Sequence, residues 1–437
     1  MPAAREIAAA APEVPGGRRL NLPYLMGVYL VVNSVRDLWL VVDGPDCSHF
    51  KGQFIHGKHD WYSTLFRVDG RHRIMFTGTN AQNIAPNRDE WIAAVLGRAA
   101  SVAEAGAVLL TSMPLCGITG VQYDRVIAEL GAVKPVVEVP GLSLRGDWLD
   151  GYSAGLAAIA RHKALPKAKP RRGTVAVVGY FMDRNEGDHA GNLVEMKRLL
   201  GALGLNLVSV WPGGGTWRDL DRVAQAGTIL SFPHGREAAR VLAGKTGARL
   251  FETEIPLGIE GTRQWVETIG ACFGREARAR KLVETELDRI VPRFERAVPF
   301  YFLNRGAALV CDPHHLAGLA GLCADLGMRV RFAAAMAREG HAPDLLEKGP
   351  SGGPRVQFEV TEGRSFHRLL RKAGLLPGDL VICSGEHGQG LQHHFSVLEF
   401  GVPSYTHHVF ADVPFLGFTG ALHLIDRMAN ALSAARD

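Results

Sequence analysis

The sequence predicts an α/β protein built from three consecutive Rossmann-like, doubly wound αβ domains with mostly parallel sheets. Two observations carry this expectation. Short apolar runs, such as those ahead of Asp43-Gly-Pro45 and Met113-Pro114, have the pattern of a strand buried on both faces and followed by its loop. Between such runs lie stretches with helical spacing, so strand and helix alternate along most of the chain.

The elements can be taken in order. Residues 1–20 are rich in Ala, Pro and Gly and lack the long apolar core of a signal peptide, so they read as a mobile arm. Leu22 to Val42 is apolar, but Asn33, Ser34, Arg36 and Asp37 interrupt it short of a spanning length, which implies a helix followed by a strand. A first αβ domain is expected over 21–165. The basic, Pro-containing stretch Lys163 to Arg172 suits a solvated linker. A second domain, 170–295, opens with the strand Gly173–Gly179. It continues with a helix from Asn192 to Leu203, a strand Leu205–Val210, a helix over Thr216 to Ala226, a strand Thr228–Phe232, a helix Arg236–Thr246 and a strand Arg249–Glu252. Arg and Glu alternating along Arg275 to Arg296 read as a long helix joining domains. A third domain, 296–437, has strands near Ala307–Val310, Met328–Phe332 and Asp379–Cys383, a helix from His315 to Leu326 and a closing helix near Leu422 to Leu432.

Composition excludes several classes. The 437 residues are 47% hydrophobic, ample for several cores. A net charge of +5 without basic runs argues against nucleic acid as a partner, and no segment argues for a membrane. Six scattered cysteines (Cys47, Cys116, Cys272, Cys311, Cys323, Cys383) cannot form a disulfide framework in a chain of this size, so a cytoplasmic location is expected.

Four features bear on chemistry. Cys47 and Cys116 each follow a predicted strand and should leave the carboxyl edge of one sheet, where α/β folds gather ligands. Isolated cysteines are also common core residues. Gly213-Gly214-Gly215 between a strand and a helix could bring backbone amides to an anion, or simply end the strand with Thr216 as the helix cap. Neither a Walker lysine nor a Gly-x-Gly-x-x-Gly motif accompanies them, which argues against nucleotide binding. The C-terminal third is rich in histidine: His387 beside Glu386, His393-His394, and His407-His408 are candidates for proton relay or metal ligation. Asp312-Pro-His-His315 reads either as a metal site or as a strand-to-helix turn with Pro313 at the first helical position. No Ser-His-Asp arrangement and no His-Glu-x-x-His motif is present.

Four segments together resemble a known family. Ser34 to Cys47 is similar to the cluster-ligating segment of nitrogenase component 1 proteins, and Leu109 to Gly120 resembles that family's later cysteine segment. Glu254 to Trp265 is similar to a Pro-x-Gly-x-x-x-Thr segment of the dark-operative protochlorophyllide reductase subunits, and Pro414 to Gly420 to the family's C-terminal Gly-Phe-x-Gly. The resemblance implies a subunit that takes electrons from a separate ATP-hydrolysing iron–sulfur reductase and passes them to a small-molecule substrate, a tetrapyrrole or other unsaturated organic molecule, in a pocket among the domains. It implies Cys47 and Cys116 as ligands of an iron–sulfur cluster.

The sequence also departs from the family. The first cluster cysteine is missing from Asn21–Gly27, and the strand end that carries the nitrogenase cofactor cysteine reads Ser231-Phe-Pro-His-Gly235, placing His234 there instead. A full nitrogenase-type cluster and dinitrogen reduction are therefore not expected. A [4Fe-4S] cluster usually takes four protein ligands. The resemblance thus implies a site shared with a second copy of the chain or a paralogous subunit, with Asp43 or Asp46 as a further oxygen ligand. His407, His387 or Glu386 would supply protons, with His234, His408 and the three glycines near the bound group. The alternative reading is a scaffold that holds a maturing metal cluster and hands it on; a small-molecule binder built from αβ lobes is a third.

Overall fold

The computed structural model describes residues 18–19, 22–46, 52–80, 82–84, 88–168, 171–341, 354, 356–358, 361–362 and 366–434. Strand β1 (Arg18–Arg19) pairs antiparallel with β13 (Thr361–Glu362). The predicted mobile arm is therefore tied down at its far end, through backbone pairing with a distant segment that composition could not reveal.

The first sheet holds β2 (Leu38–Asp43), β3 (Ile74–Phe76), β4 (Ala107–Ser112) and β5 (Val136–Glu138) in the order β3-β2-β4-β5, all parallel. Every residue of β2 and β4 is buried, as expected for central strands covered on both faces. The second sheet, ordered β7-β6-β8-β9, contains β6 (Arg171–Val178), β7 (Asn206–Trp211), β8 (Ala226–Ser231) and β9 (Arg249–Glu252). The third runs β12-β11-β10-β14-β15, from β10 (Gly306–Cys311), β11 (Arg329–Ala335), β12 (Gln357–Phe358), β14 (Leu380–Cys383) and β15 (Ser396–Glu399). All pairings in these two sheets are also parallel. The predicted fold class is what the structure has.

Two predicted elements differ. The stretch after the glycine loop forms a 3₁₀ helix, Asp219–Gln225, because Thr216 and Asp219 bond to each other and set a tight turn. Lys163, read as part of a solvated linker, is buried, lying 3.0 Å from Asp221 and over the ring of Trp217. The long Arg/Glu helix is present as Glu276–Phe294.

The helix Trp148–His162 ties the sheets together. It crosses the fully buried helix Tyr24–Asn33 at very close range: a Cβ on Gly27 would stand 1.8 Å from the Trp148 carbonyl oxygen, and one on Gly151 would stand 2.0 Å from that of Tyr24. Only glycine permits this contact. From the same helix, Trp148 Nε1 donates to the carbonyl of Met336 beyond β11, and Tyr152 Oη donates to that of Tyr180 beyond β6. The carboxyl ends of the second and third sheets thus converge on one helix of the first. No helix among the described residues is long and apolar enough to cross a membrane.

Candidate functional site

Two places gather chemistry. The first is the carboxyl edge of the first sheet, where Asp43 at the end of β2 is in register with Ser112 at the end of β4. In the sequence, Cys47 and Cys116 each follow a member of that registered pair by four positions. Cys47 itself lies outside the described residues. Cys116 sits in a four-residue helix, Pro114–Gly117, and is fully buried. Burial, then the nearby Asp43 carboxylate, raises its thiol pKa, while Arg88 and Thr79 act in the opposite direction.

Asp43 is saturated. One carboxylate oxygen accepts from Thr77 Oγ1 at 2.7 Å, from Thr79 Oγ1 at 3.3 Å and from Arg88 Nη2; the other accepts from Tyr123 Oη at 2.6 Å. With no exposed surface and four donors on its carboxylate, Asp43 is engaged in holding the loops together. Asp46 is exposed and remains open to metal ligation. A buried thiol flanked by hydroxyl and guanidinium donors fits an iron–sulfur group, because such donors stabilise thiolate and sulfide charge.

The second place is a cavity of about 30 Å³ where the three sheets meet, with room for one or two water molecules. Trp148 and Phe181 form an apolar wall; Asp183, Arg184, Asp188, His189, Asp312, His315, Glu399 and Arg427 line the rest. Asp183 is the hub. Its carboxylate lies 2.5 Å from His189 Nε2 and 3.3 Å from His59 Nε2, with both imidazoles buried. His59 Nδ1 accepts the Ser404 N–H, so a neutral His59 carries its proton on Nε2, which comes within 3.3 Å of Asp183 without making an aligned hydrogen bond. On its other side His189 Nδ1 meets Tyr180 Oη at 2.7 Å, and that hydroxyl accepts from Asn192 Nδ2.

The electrostatics sort the histidines. Burial lowers the pKa of His189, but the Asp183 and Asp188 carboxylates outweigh it and the net direction is upward. His315 is pushed down to about 4 by burial, which the Asp312 carboxylate does not overcome. His407 also falls to about 4, through burial and then the Arg427 and Arg184 cations. Among the described cavity residues, His189 is thus the imidazole suited to hold a proton near neutral pH.

The sequence candidates fall in several places. His234, beyond β8, stacks on Phe181 with ring centroids 4.7 Å apart, and its Nε2 lies 2.9 Å from Asp312 Oδ2. His407 contributes its backbone: its carbonyl accepts from Arg184 Nη1 at 2.9 Å and its N–H donates to Glu399. His408 Nδ1 lies 2.8 Å from the buried Glu186 carboxylate. His387 and Glu386 lie beyond β14, where His387 packs edge-on against Phe366 and meets Ser384 Oγ; neither lines the cavity. Gly213 and Gly215 line a separate open groove of about 410 Å³ with Arg36, Lys197 and Arg222, and Gly214 donates its N–H to the Ser34 carbonyl. Asp312 N-caps the helix Pro313–Asp325, with Pro313 at the predicted first helical position. Sequence reasoning passed over Asp183 and His189. The dense polar run Asp183-Arg-Asn-Glu-Gly-Asp-His189, following the apolar second half of β6, was the available signal.

The sequence profile of nitrogenase component 1 type oxidoreductases matches residues 24–433. The chain belongs to this family. Its relatives include a light-independent protochlorophyllide reductase subunit of Chloroflexus aurantiacus, 26% identical over 286 residues, which cover 62% of this chain and 51% of the relative. The nitrogenase molybdenum–iron protein beta chain of Methanococcus maripaludis is 21% identical over 338 residues, covering 71% of each chain. The chain spans about half the length of the protochlorophyllide reductase relatives it matches. Among solved structures, nitrogenase Cp1 at pH 6.5 superposes with a TM-score of 0.78 at 16% identity, over 98% of this chain and 95% of the other, which establishes the shared fold.

Proposed function

We propose that this chain is a catalytic-component subunit of a nitrogenase-like, ATP-dependent reductase, working with a separate ATP-hydrolysing iron–sulfur protein. Cys47 and Cys116 would hold a [4Fe-4S] cluster together with two thiolates from a second copy or a paralogous subunit. When bound, that group supplies one-electron transfer. The observation that supports this reading is the register of Asp43 with Ser112, each four residues ahead of a cysteine in the sequence, beside a buried nest of hydroxyl and guanidinium donors.

The chain's own part in the chemistry lies in the central cavity. Asp183 holds His189 in place and favours its protonated form, so that Nε2 carries a proton at the cavity wall. The Tyr180 hydroxyl on Nδ1 fixes the ring's orientation. Trp148, Phe181 and Phe415 exclude bulk water from this proton. The substrate we propose is an unsaturated organic molecule, such as a tetrapyrrole. A cavity of about 30 Å³ does not admit it as it stands, so binding requires the walls to part.

The test is anaerobic purification with iron and acid-labile sulfide analysis of the wild type, Cys47→Ala and Cys116→Ala. Each substitution is expected to remove most of the iron. Wild-type iron content in both variants would sink the proposal.

A further inference from the structure

Arg88 holds an unusual position. It is 5% exposed and forms the N-cap of the helix Asp89–Ser101. Its Nη2 donates to Asp43 and, at 2.7 Å, to Thr79 Oγ1. Its Nη1 has no hydrogen-bond partner among the described residues. The same guanidinium stands beside the Cys116 thiol. A buried N–H donor left open is costly unless a ligand satisfies it. Asp43 bonds the same guanidinium through Nη2 only, and its carboxylate is otherwise held by Thr77, Thr79 and Tyr123.

We propose that Arg88 is a positioning residue for the iron–sulfur group at Cys116, donating its free Nη1–H to a sulfur there and, with its fixed positive charge, raising the reduction potential. This rests on the reading that Cys116 holds such a group. The physical reason is charge: reduction adds one electron in a water-poor pocket, where a cation fixed by Asp43 and Thr79 favours the reduced, more negative form.

The experiment uses the full-length protein in its native assembly, purified anaerobically, with dithionite as reductant and the cluster followed by EPR during a redox titration. Arg88→Gln is expected to keep its iron and to shift the oxidised-to-reduced ratio at fixed potential at least tenfold toward oxidised, a drop of about 59 mV for one electron. Arg88→Lys, which keeps the charge, is expected to recover most of that shift. Wild-type protein labelled with ¹⁵N-guanidinium arginine gives a second readout that needs no stable variant: pulsed EPR of the reduced cluster should show a nitrogen coupling, lost in Arg88→Lys. Equal iron with an unchanged potential, or a wild-type cluster without nitrogen coupling, overturns the proposal while leaving the cluster assignment intact. Wild-type protein without iron overturns the cluster assignment and this proposal with it.

Discussion

Replacing Asp183 by Asn tests the cavity network most directly. The carboxylate serves two imidazoles, His189 at 2.5 Å and His59 at 3.3 Å, with side chains 2% and 1% exposed. Asparagine has the same shape but offers one acceptor oxygen and one NH₂ group. Because the His59 proton lies on Nε2, 3.3 Å from the residue 183 side chain, the oxygen is drawn to that side and the NH₂ turns toward His189. His189 must then give up its Nε2 proton and donate from Nδ1 to Tyr180, whose hydroxyl already accepts from Asn192.

Removing one member of a buried ion pair costs about 3–5 kcal/mol. The retained shape places this case near the lower end, about 3 kcal/mol, or roughly a hundredfold in the folded-to-unfolded ratio. Urea unfolding followed by tryptophan fluorescence reads this difference. Its pH dependence is also fixed. The raised pKa of His189 makes its contribution complete below 6.5 and lost as pH rises through the folded value. The lowered pKa of Asp183, where burial is outweighed by the two histidines, makes its contribution present above 3.8 and lost as pH falls through the folded value. The gap between wild type and variant should therefore be widest between these two ordinary values and shrink in alkali. A difference below about 1 kcal/mol, or one that does not change between about pH 6 and pH 10, refutes the argument.

Other outcomes follow from the same geometry. His189→Gln should lower substrate turnover by roughly 10²-fold or more, the range of a lost general acid, whereas His407→Ala, which keeps the backbone bonds to Arg184 and Glu399, should cost less than about threefold; steady-state assays of the reconstituted system compare them. Gly179→Ala should destabilise by about 3 kcal/mol or more, measured by urea titration. Gly179 has φ +87°, and an added Cβ would stand 2.4 Å from Gly235 N. His341 is subject to burial, but hydrogen bonds to Asp147 and Asp150 prevail and raise its pKa to about 9. The stability it adds is complete below 6.5 and lost as pH rises through about 9, so His341→Gln should flatten thermal stability against pH across that interval.

Much of the fold was legible because a strand covered on both faces has to be mostly apolar, and β2, β4 and β10 are, with Asp43, Thr111 and Ser112 only at the carboxyl ends. The position of Cys116 at a strand end was readable for the same reason: length and apolarity locate the carboxyl end of a parallel strand to within a residue or two. The 3₁₀ helix after the glycine loop was not, since it depends on a local bond between Thr216 and Asp219 that competes with the α-helix. The site histidines were harder still. His387 and His189 both follow apolar strands and look equivalent in the chain, yet one packs against Phe366 and the other reaches the cavity.

The sequence by itself determined the three parallel sheets, because the hydrophobic period of each segment admits few other structures. It also placed both cysteines beyond neighbouring strand ends, because parallel pairing carries chain spacing into space. Only the tertiary structure decided which strand ends face one another. That choice depends on how the helix Trp148–His162 packs among the sheets through Gly27, Gly151 and Tyr152, contacts between segments far apart in the chain. It brought His59, Asp183 and His189 together, and it buried Arg88 against Asp43 so that Nη1 is left as an open donor. Burial sets the charge state of each of these groups, and burial is a property of the packed domains rather than of any one segment.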